Sequence, residues 1–321
     1  MDAILIDEPL LASERLKQLS QRSDAASLRR LLAQTLLYVG SAVALVLLDD
    51  PAAIVTSLLI NGVAQFAMFG MLHEACHKTA FARPWLSELA GWIAALAQPM
   101  SPALMRAFHF THHRHTHELE HDPELGGLAF MIPWPRGLMW VVTMTGIPLV
   151  VARVGWSLFA ALVPRQADGL WTRVLPFVRP ERRLRIAWEA RLLMLIHGLA
   201  IAAACTIVPT LWRVYAGLLI GHMLLGWYTT CEHRGLPALG SAGEGQPSIL
   251  ARTRSLVTPA WLRWLIWNMP YHAEHHAWPA VPWHALPALH EQVRGHLVHR
   301  ERPLYLHLHG GRERPQPPRA D

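Results

Sequence analysis

Eight histidines in three clusters carry the chemistry of this sequence: His73 and His77, then His109, His112 and His113, then His272, His275 and His276. The second and third clusters share the spacing His-x-x-His-His. Residues three and four apart lie on one face of a helix, so each cluster would aim two or three imidazoles at a common point. A structural zinc takes four ligands and a catalytic zinc usually three plus water, so eight imidazoles point to two metals with coordination positions left open. Imidazole suits iron, copper, nickel and zinc, and ligand type alone does not choose among them. Six histidines within the thirteen positions 109–121 would also fit a loose metal-buffering tract. The distant cluster at His272 argues for a shared site instead.

The elements that must bring these clusters together are apolar. The chain has 321 residues, of which 52% are hydrophobic and 16% charged, against about 25% charged in soluble domains. Its mean hydropathy is +0.20. These values predict an integral membrane protein. The stretch 1–14 carries Asp2, Asp7 and Glu8 and lacks the basic start, apolar core and cleavage site of a signal peptide. The three cysteines, Cys76, Cys205 and Cys231, form no CxxC pair, which argues against a disulfide scaffold or an iron–sulfur cluster. The formal charge of +6 comes from arginines near segment ends. With no basic stripe or recognition motif, it reads as membrane topology and attraction to anionic lipid, not nucleic-acid binding.

A membrane-crossing helix needs about 20 apolar residues. Residues 31–48, 52–72, 192–208 and 211–230 approach this, and the joints Asp49-Asp50-Pro51 and Pro209-Thr210 make them two tight transmembrane hairpins. Arg213 is the basic residue nearest those joints, whereas Arg15, Lys17, Arg22, Arg29 and Arg30, then Lys78, Arg106 and Arg114, and the arginine-rich C-terminal region lie on the other side. The positive-inside rule then makes both termini and every histidine cluster cytoplasmic. The expected plan is an all-α, multi-pass membrane protein with four transmembrane helices under a cytoplasmic helical cap. Residues 1–30 form a cytoplasmic segment, 31–308 the membrane domain and 309–321 a disordered tail. Residues 139–163 would lie at the interface or re-enter the bilayer, since Pro148 and Arg153 oppose a simple span. Tryptophans such as Trp134, Trp140, Trp261, Trp264 and Trp267 fit interfacial anchoring.

The three clusters, their order, and the flanking text His77-Lys78, Glu120-His121-Asp122-Pro123-Glu124 and Asn268-Met269-Pro270-Tyr271-His272 resemble the membrane fatty acid desaturase family over residues 61–290. The resemblance implies a non-haem centre of two iron ions that uses O2 and two electrons to take hydrogens from an unactivated alkyl chain. It also implies a ninth ligand after the last spanning helix, where Cys231-Glu232-His233-Arg234-Gly235-Leu236 places His233. A helix-end histidine bonded to a carbonyl is the structural alternative. Some acyl-chain desaturases carry an asparagine one turn earlier as a weak or water-mediated ligand, and this chain has Thr229 there. The Cys-Glu-His-Arg-Gly-Leu text also resembles alkane hydroxylases.

Glu74, Glu118, Glu232 and Glu274 sit beside proposed ligands in sequence, where a carboxylate would accept the second N–H of a metal-bound imidazole and fix its tautomer. His115, His117 and His121 are expected to be near or outside the site, and His197 and His222 to bond backbone within apolar helices rather than hold a haem. His284, His290, His296, His299, His307 and His309 read as surface residues. Phe66, Phe69, Leu224 and Trp227 are candidates for an acyl tunnel wall or for core packing. The chain has no cytochrome b5 motif, cysteine cluster or dinucleotide fingerprint, so electrons are expected from a separate ferredoxin, or cytochrome b5 with its reductase. Desaturation of a lipid acyl chain leads the functional readings. Hydroxylation or ketone formation on a hydrophobic substrate follows, and then a nonenzymatic metal transporter, which would need polar ligands partway through the helices.

Overall fold

The computed structural model describes residues 10–239 and 248–313. Residues 1–9 and 314–321, on which the expected N-terminal start and most of the expected tail fall, lie outside the described residues. Positions 309–313 are described: the Gly311 N–H donates to the Leu306 carbonyl at 2.7 Å.

The described residues are mostly helical. The first half of the chain holds α1 (Ser13–Leu19), α2 (Asp24–Leu47), α3 (Pro51–His77), α4 (Pro84–Ala95), α5 (Pro102–Arg114), α6 (Gly137–Met144) and α7 (Ile147–Leu162). The second holds α8 (Asp168–Val174), α9 (Arg183–Thr206), α10 (Trp212–His233), α11 (Ile249–Arg252), α12 (Ala260–Leu265), α13 (His272–Ala277), α14 (Leu286–Val293) and α15 (Pro303–Leu308). Two short parallel strands, β1 (Ser255–Leu256) and β2 (Arg300–Glu301), tie the segment before α13 to the C-terminal region.

Among the described residues, three helices are long and apolar enough to cross a membrane: α2, α3 and α9 with its preceding turn. The pair α6 and α7, bent by 60°, would be a fourth if it counts as one broken span. The expected fourth span falls on α10, which is 22 residues, or about 33 Å, long. Arg213, His222 and Glu232 interrupt its apolar character, and it is not among the three that qualify. The first hairpin is present, with α2 packed on α3. The second joint is a short 3-10 turn at Pro209–Leu211, but α10 packs chiefly against α3, and α9 against α7. The reason is a seam of small residues. A Cβ added at Gly62 of α3 would strike Ile220 of α10, and one at Gly221 would meet the Gly62 carbonyl at 3.0 Å, so the two backbones approach too closely for larger side chains. Arg213 donates to the Leu45 and Leu48 carbonyls at 3.0 and 2.8 Å, satisfying the open end of α2.

The bend between α6 and α7 sits on Gly146, whose φ of 68° lies in the left-handed region. A Cβ there would run into the His222 carbonyl of α10. Arg153, about two turns further on, is buried: it donates to the Gln98 side-chain carbonyl and faces His222 Nε2 at 3.2 Å. His222 Nδ1 donates to the Leu218 carbonyl at 2.9 Å, the backbone bond expected of a histidine in an apolar helix. The arginine that opposed a simple span is thus part of a satisfied polar network.

α2 holds the segment that leads into α13. Gln34 donates to the Leu265 carbonyl and accepts from Trp267 Nε1 at 2.7 Å, while the Arg30 guanidinium lies 3.9 Å from the Trp283 ring centroid. Trp267 and Trp134 are therefore core residues rather than interfacial anchors, whereas Trp261 and Trp264 are exposed. Gly146→Val should lower the unfolding temperature of the purified protein, at a cost of about 2 kcal/mol or more from overpacking and backbone strain. Gly155→Ala, in open space on α7, should leave it unchanged. Equal melting of both variants would contradict the close approach of the bend to α10.

Candidate metal centre

Four short pieces of backbone present the imidazoles. His73 and His77 occupy the last turn of α3, which ends where Lys78 turns left-handed at φ 61°. α5 starts at Pro102, its first turn closed by Ser101 Oγ accepting from the Leu104 N–H at 3.3 Å, and buries His109, His112 and His113 on one face. His233 is the last residue of α10. α13 is only six residues long, too short to be stable by itself. It is fixed from outside: Glu274 receives bonds from Ser255 of β1 and His290 of α14, and Asn268, at φ 58°, donates to the Trp283 carbonyl at 2.8 Å.

The nine proposed ligands fall into two groups. One is His73, His77, His109, His113 and His275, and the other is His112, His233, His272 and His276. All nine are buried, and within each group one ligating atom per residue lies within 4.8 Å of all the others. Opposed imidazoles on one ion at about 2.1 Å would stand roughly 4.2 Å apart, so each group is sized for a single metal ion. The groups share a wall, since the His113 ring stacks on His276 at 4.1 Å. Nitrogens face nitrogens: His113 Nε2 is 2.8 Å from His109 Nε2 and 3.1 Å from His275 Nε2, and His272 Nε2 is 2.7 Å from His233 Nε2. Both ring nitrogens of His73 and Nε2 of His77 are buried without a hydrogen-bond partner. Such orphaned atoms require an explanation, and a cation among the lone pairs provides one.

Burial holds His109, His113, His272 and His276 well below the ordinary imidazole pKa and His275 down at about 3, with repulsion from neighbouring histidines adding to each. These rings are neutral, the form that binds a metal. Burial also acts to lower His112, but the carboxylates of Asp122 and Glu124 outweigh it and push His112 up to about 9.

The supporting carboxylates differ from the expected four. Glu232 Oε1 lies 3.3 Å from His272 Nδ1, close to the ring without a formed hydrogen bond. Glu74 instead accepts from Thr79 Oγ1 at 2.8 Å and the Trp283 N–H at 3.2 Å, because a residue one position from His73 points about 100° away from it around the helix. Glu274 turns to Ser255 and His290 for the same reason. Glu118 pairs with His115 at 2.8 Å on the partly exposed rim, where it and His121 make a third, surface cluster. The carboxylate that sequence reasoning missed is Asp122. It accepts from His112 Nδ1 at 3.0 Å, from the His117 backbone N–H at 2.7 Å and from the Glu124 N–H at 2.9 Å. Those bonds hold His117, buried at φ 62°, and leave His112 Nε2 facing His276 Nε2 at 3.3 Å. The signal was present in the run His121-Asp122-Pro123, but a loop folded back on its helix has no periodicity to betray it.

Other residues fall into place around the two groups. His233 Nδ1 donates to the Arg252 carbonyl at 3.1 Å, the bond considered for a helix-end histidine, while its Nε2 faces His272 Nε2. Thr229 donates its hydroxyl to the Leu225 carbonyl at 2.9 Å, so it is engaged within its own helix. Phe69 lies with its ring 6.2 Å from His73, while Phe66 packs on Tyr228 and Trp227 stacks on His307 at 4.2 Å. His290, His299 and His307 are not surface residues: the first two are buried, and His307 is half-buried against Trp134, Trp140 and Trp227.

Residues 50–308 match the family model described as fatty acid desaturase. The chain belongs to that family. It is 27% identical over 245 residues to the sphingolipid delta(4)-desaturase DES1 of Drosophila melanogaster. The match covers 73% of this chain and 64% of that relative. Asp122→Ala should weaken metal binding about 10- to 100-fold through loss of His112 orientation, measured by competition with a chelator. Unchanged affinity would remove Asp122 from this role.

Proposed function

We propose that this chain is an integral membrane oxidoreductase that removes hydrogen from a lipid acyl or similar alkyl chain, using two irons held by His73, His77, His109, His113 and His275 and by His112, His233, His272 and His276. The observation that carries this reading is the meeting of nine buried imidazoles in two adjoining groups in a chain of the desaturase family. A group of five nitrogens exceeds the four of tetrahedral zinc and fits a six-coordinate ion with one position open. Such a centre would supply, with O2 and two electrons, the capacity to take hydrogen from an unactivated carbon.

The protein's own part is orientation and exclusion of water. The Asp122 carboxylate and the Arg252 carbonyl fix the rings of His112 and His233, and Glu232 lies 3.3 Å from His272 Nδ1. Phe69 places an apolar face against His73, where dry walls protect a reactive intermediate. Basic residues cluster at the histidine-bearing ends of the helices, which supports a cytoplasmic site served by a separate ferredoxin or cytochrome b5 with its reductase. The transporter reading loses ground because the imidazoles gather at the ends of α3 and α10 and in short helices beside them.

Iron reconstitution under anaerobic conditions, followed by O2 and a reductant, should give about two irons per chain and a new alkene in the lipid extract. His276→Ala should abolish the product while leaving membrane insertion intact. An alcohol in place of the alkene would establish oxygen insertion instead, and an iron-loaded protein without any oxygen-dependent product would refute the enzyme reading.

A further inference from the structure

A cavity lined by described residues lies beside the histidine centre, not within it. It has a volume of about 550 Å³ and is walled by the ends of α3, α4, α5 and α9 and the strand of chain before α9. Its cations are Lys78, Arg106, Arg179, Arg182 and Arg185, together with Arg114, and Glu88 is the sole carboxylate that lines it. Glu88 pairs with Lys78 and Arg185, and Glu189 also takes Arg185. Arg106, Arg179 and Arg182 have no carboxylate partner among the described residues. Arg106 donates to the Cys76 carbonyl and lies 4.1 Å over the Phe110 ring. Burial is the main cause that lowers its pKa, and Arg182 and Arg185 add to it while Cys76 and Glu88 oppose it.

A second observation points to a ligand. Ser87 lines this cavity, is 2% exposed, and its hydroxyl has no hydrogen-bond partner. A buried hydroxyl left unpaired beside several uncompensated guanidinium groups is costly unless an acceptor of negative charge occupies the space. Arginine forks match the geometry of phosphate oxygens. Apolar side chains of Ala103, Ala107, Phe177 and Ile186 line the cavity among these cations, so it suits an amphiphile's polar end. Phe110 lines it too, with its ring 5.2 Å from that of His77.

We propose that this cavity binds the phosphate-bearing head group of the substrate amphiphile and so positions its alkyl chain relative to the histidine centre. The substrate class is then a phospholipid or a phosphorylated carrier thioester, not a neutral sphingolipid of the ceramide kind. This rests on the desaturase reading of the centre, and the test is a binding measurement that needs no turnover, so its failure leaves the product assay standing.

The full-length chain in neutral detergent is titrated by calorimetry with coenzyme A, with dihexanoyl phosphatidic acid and with N-hexanoyl dihydrosphingosine. At least one phosphorylated probe should bind, more weakly as salt rises. The pair Arg179→Ser with Arg182→Ser, both exposed and safe for folding, should weaken it about tenfold or more, and Ser87→Ala should weaken it measurably. Binding of coenzyme A alone assigns a carrier thioester, and binding of phosphatidic acid alone assigns a membrane lipid. Failure of both to bind, affinity unmoved by the arginine substitutions, or equal binding of the neutral sphingolipid would overturn the proposal.

Discussion

Nine buried imidazoles crowd their lone pairs together with few donors to satisfy them, and this repulsion is the constraint on which the rest of the structure turns. His73 has neither ring nitrogen bonded, and pairs such as His233 with His272 bring Nε2 to Nε2 at 2.7 Å. Positive charge placed between the nitrogens would stabilise such an arrangement, and the energy of binding a metal there would be part of the energy that holds the fold. The Nδ1 bonds of His112 to Asp122 and of His233 to the Arg252 carbonyl show how the protein prepares for it, by spending one nitrogen of a ring on orientation so that the other is left to converge.

The surrounding helices make that convergence geometrically possible. α3 provides the rigid post: its last turn carries His73 and His77, and its small-residue seam brings α10, with His233 at its end, close alongside. α13 has no such independence and depends on Gln34 and Arg30 of α2, on Glu274 and on β1 for its position. The α6–α7 break leans on α10 through Gly146, and Arg153 behind it binds Gln98, which in turn donates to the Gln65 carbonyl of α3 at 2.7 Å. The long apolar helices and the histidine-bearing segments are thus one mechanical unit.

Much of this was legible because helical spacing encodes direction. The His-x-x-His-His runs place their rings on one face whatever the tertiary context, and the hydrophobic stretches mark α2, α3 and α9. The same geometry explains two misses: Glu74 and Glu274 adjoin ligands in sequence and for that reason point elsewhere on the helix. Asp122 was hidden because its partner His112 lies across a loop, and His307 because three tryptophans from distant segments enclose it. The separate packing of α9 and α10 depends on which glycines face which helix, which a hydropathy profile does not resolve.

The most direct test is crystallographic: diffraction from the iron-loaded protein collected on both sides of the iron absorption edge. Two anomalous peaks are expected, one inside the five-histidine group around His73 and His275 and one inside the four-histidine group around His112 and His272. A single peak, peaks away from these rings, or a signal that follows the zinc edge instead would contradict the account.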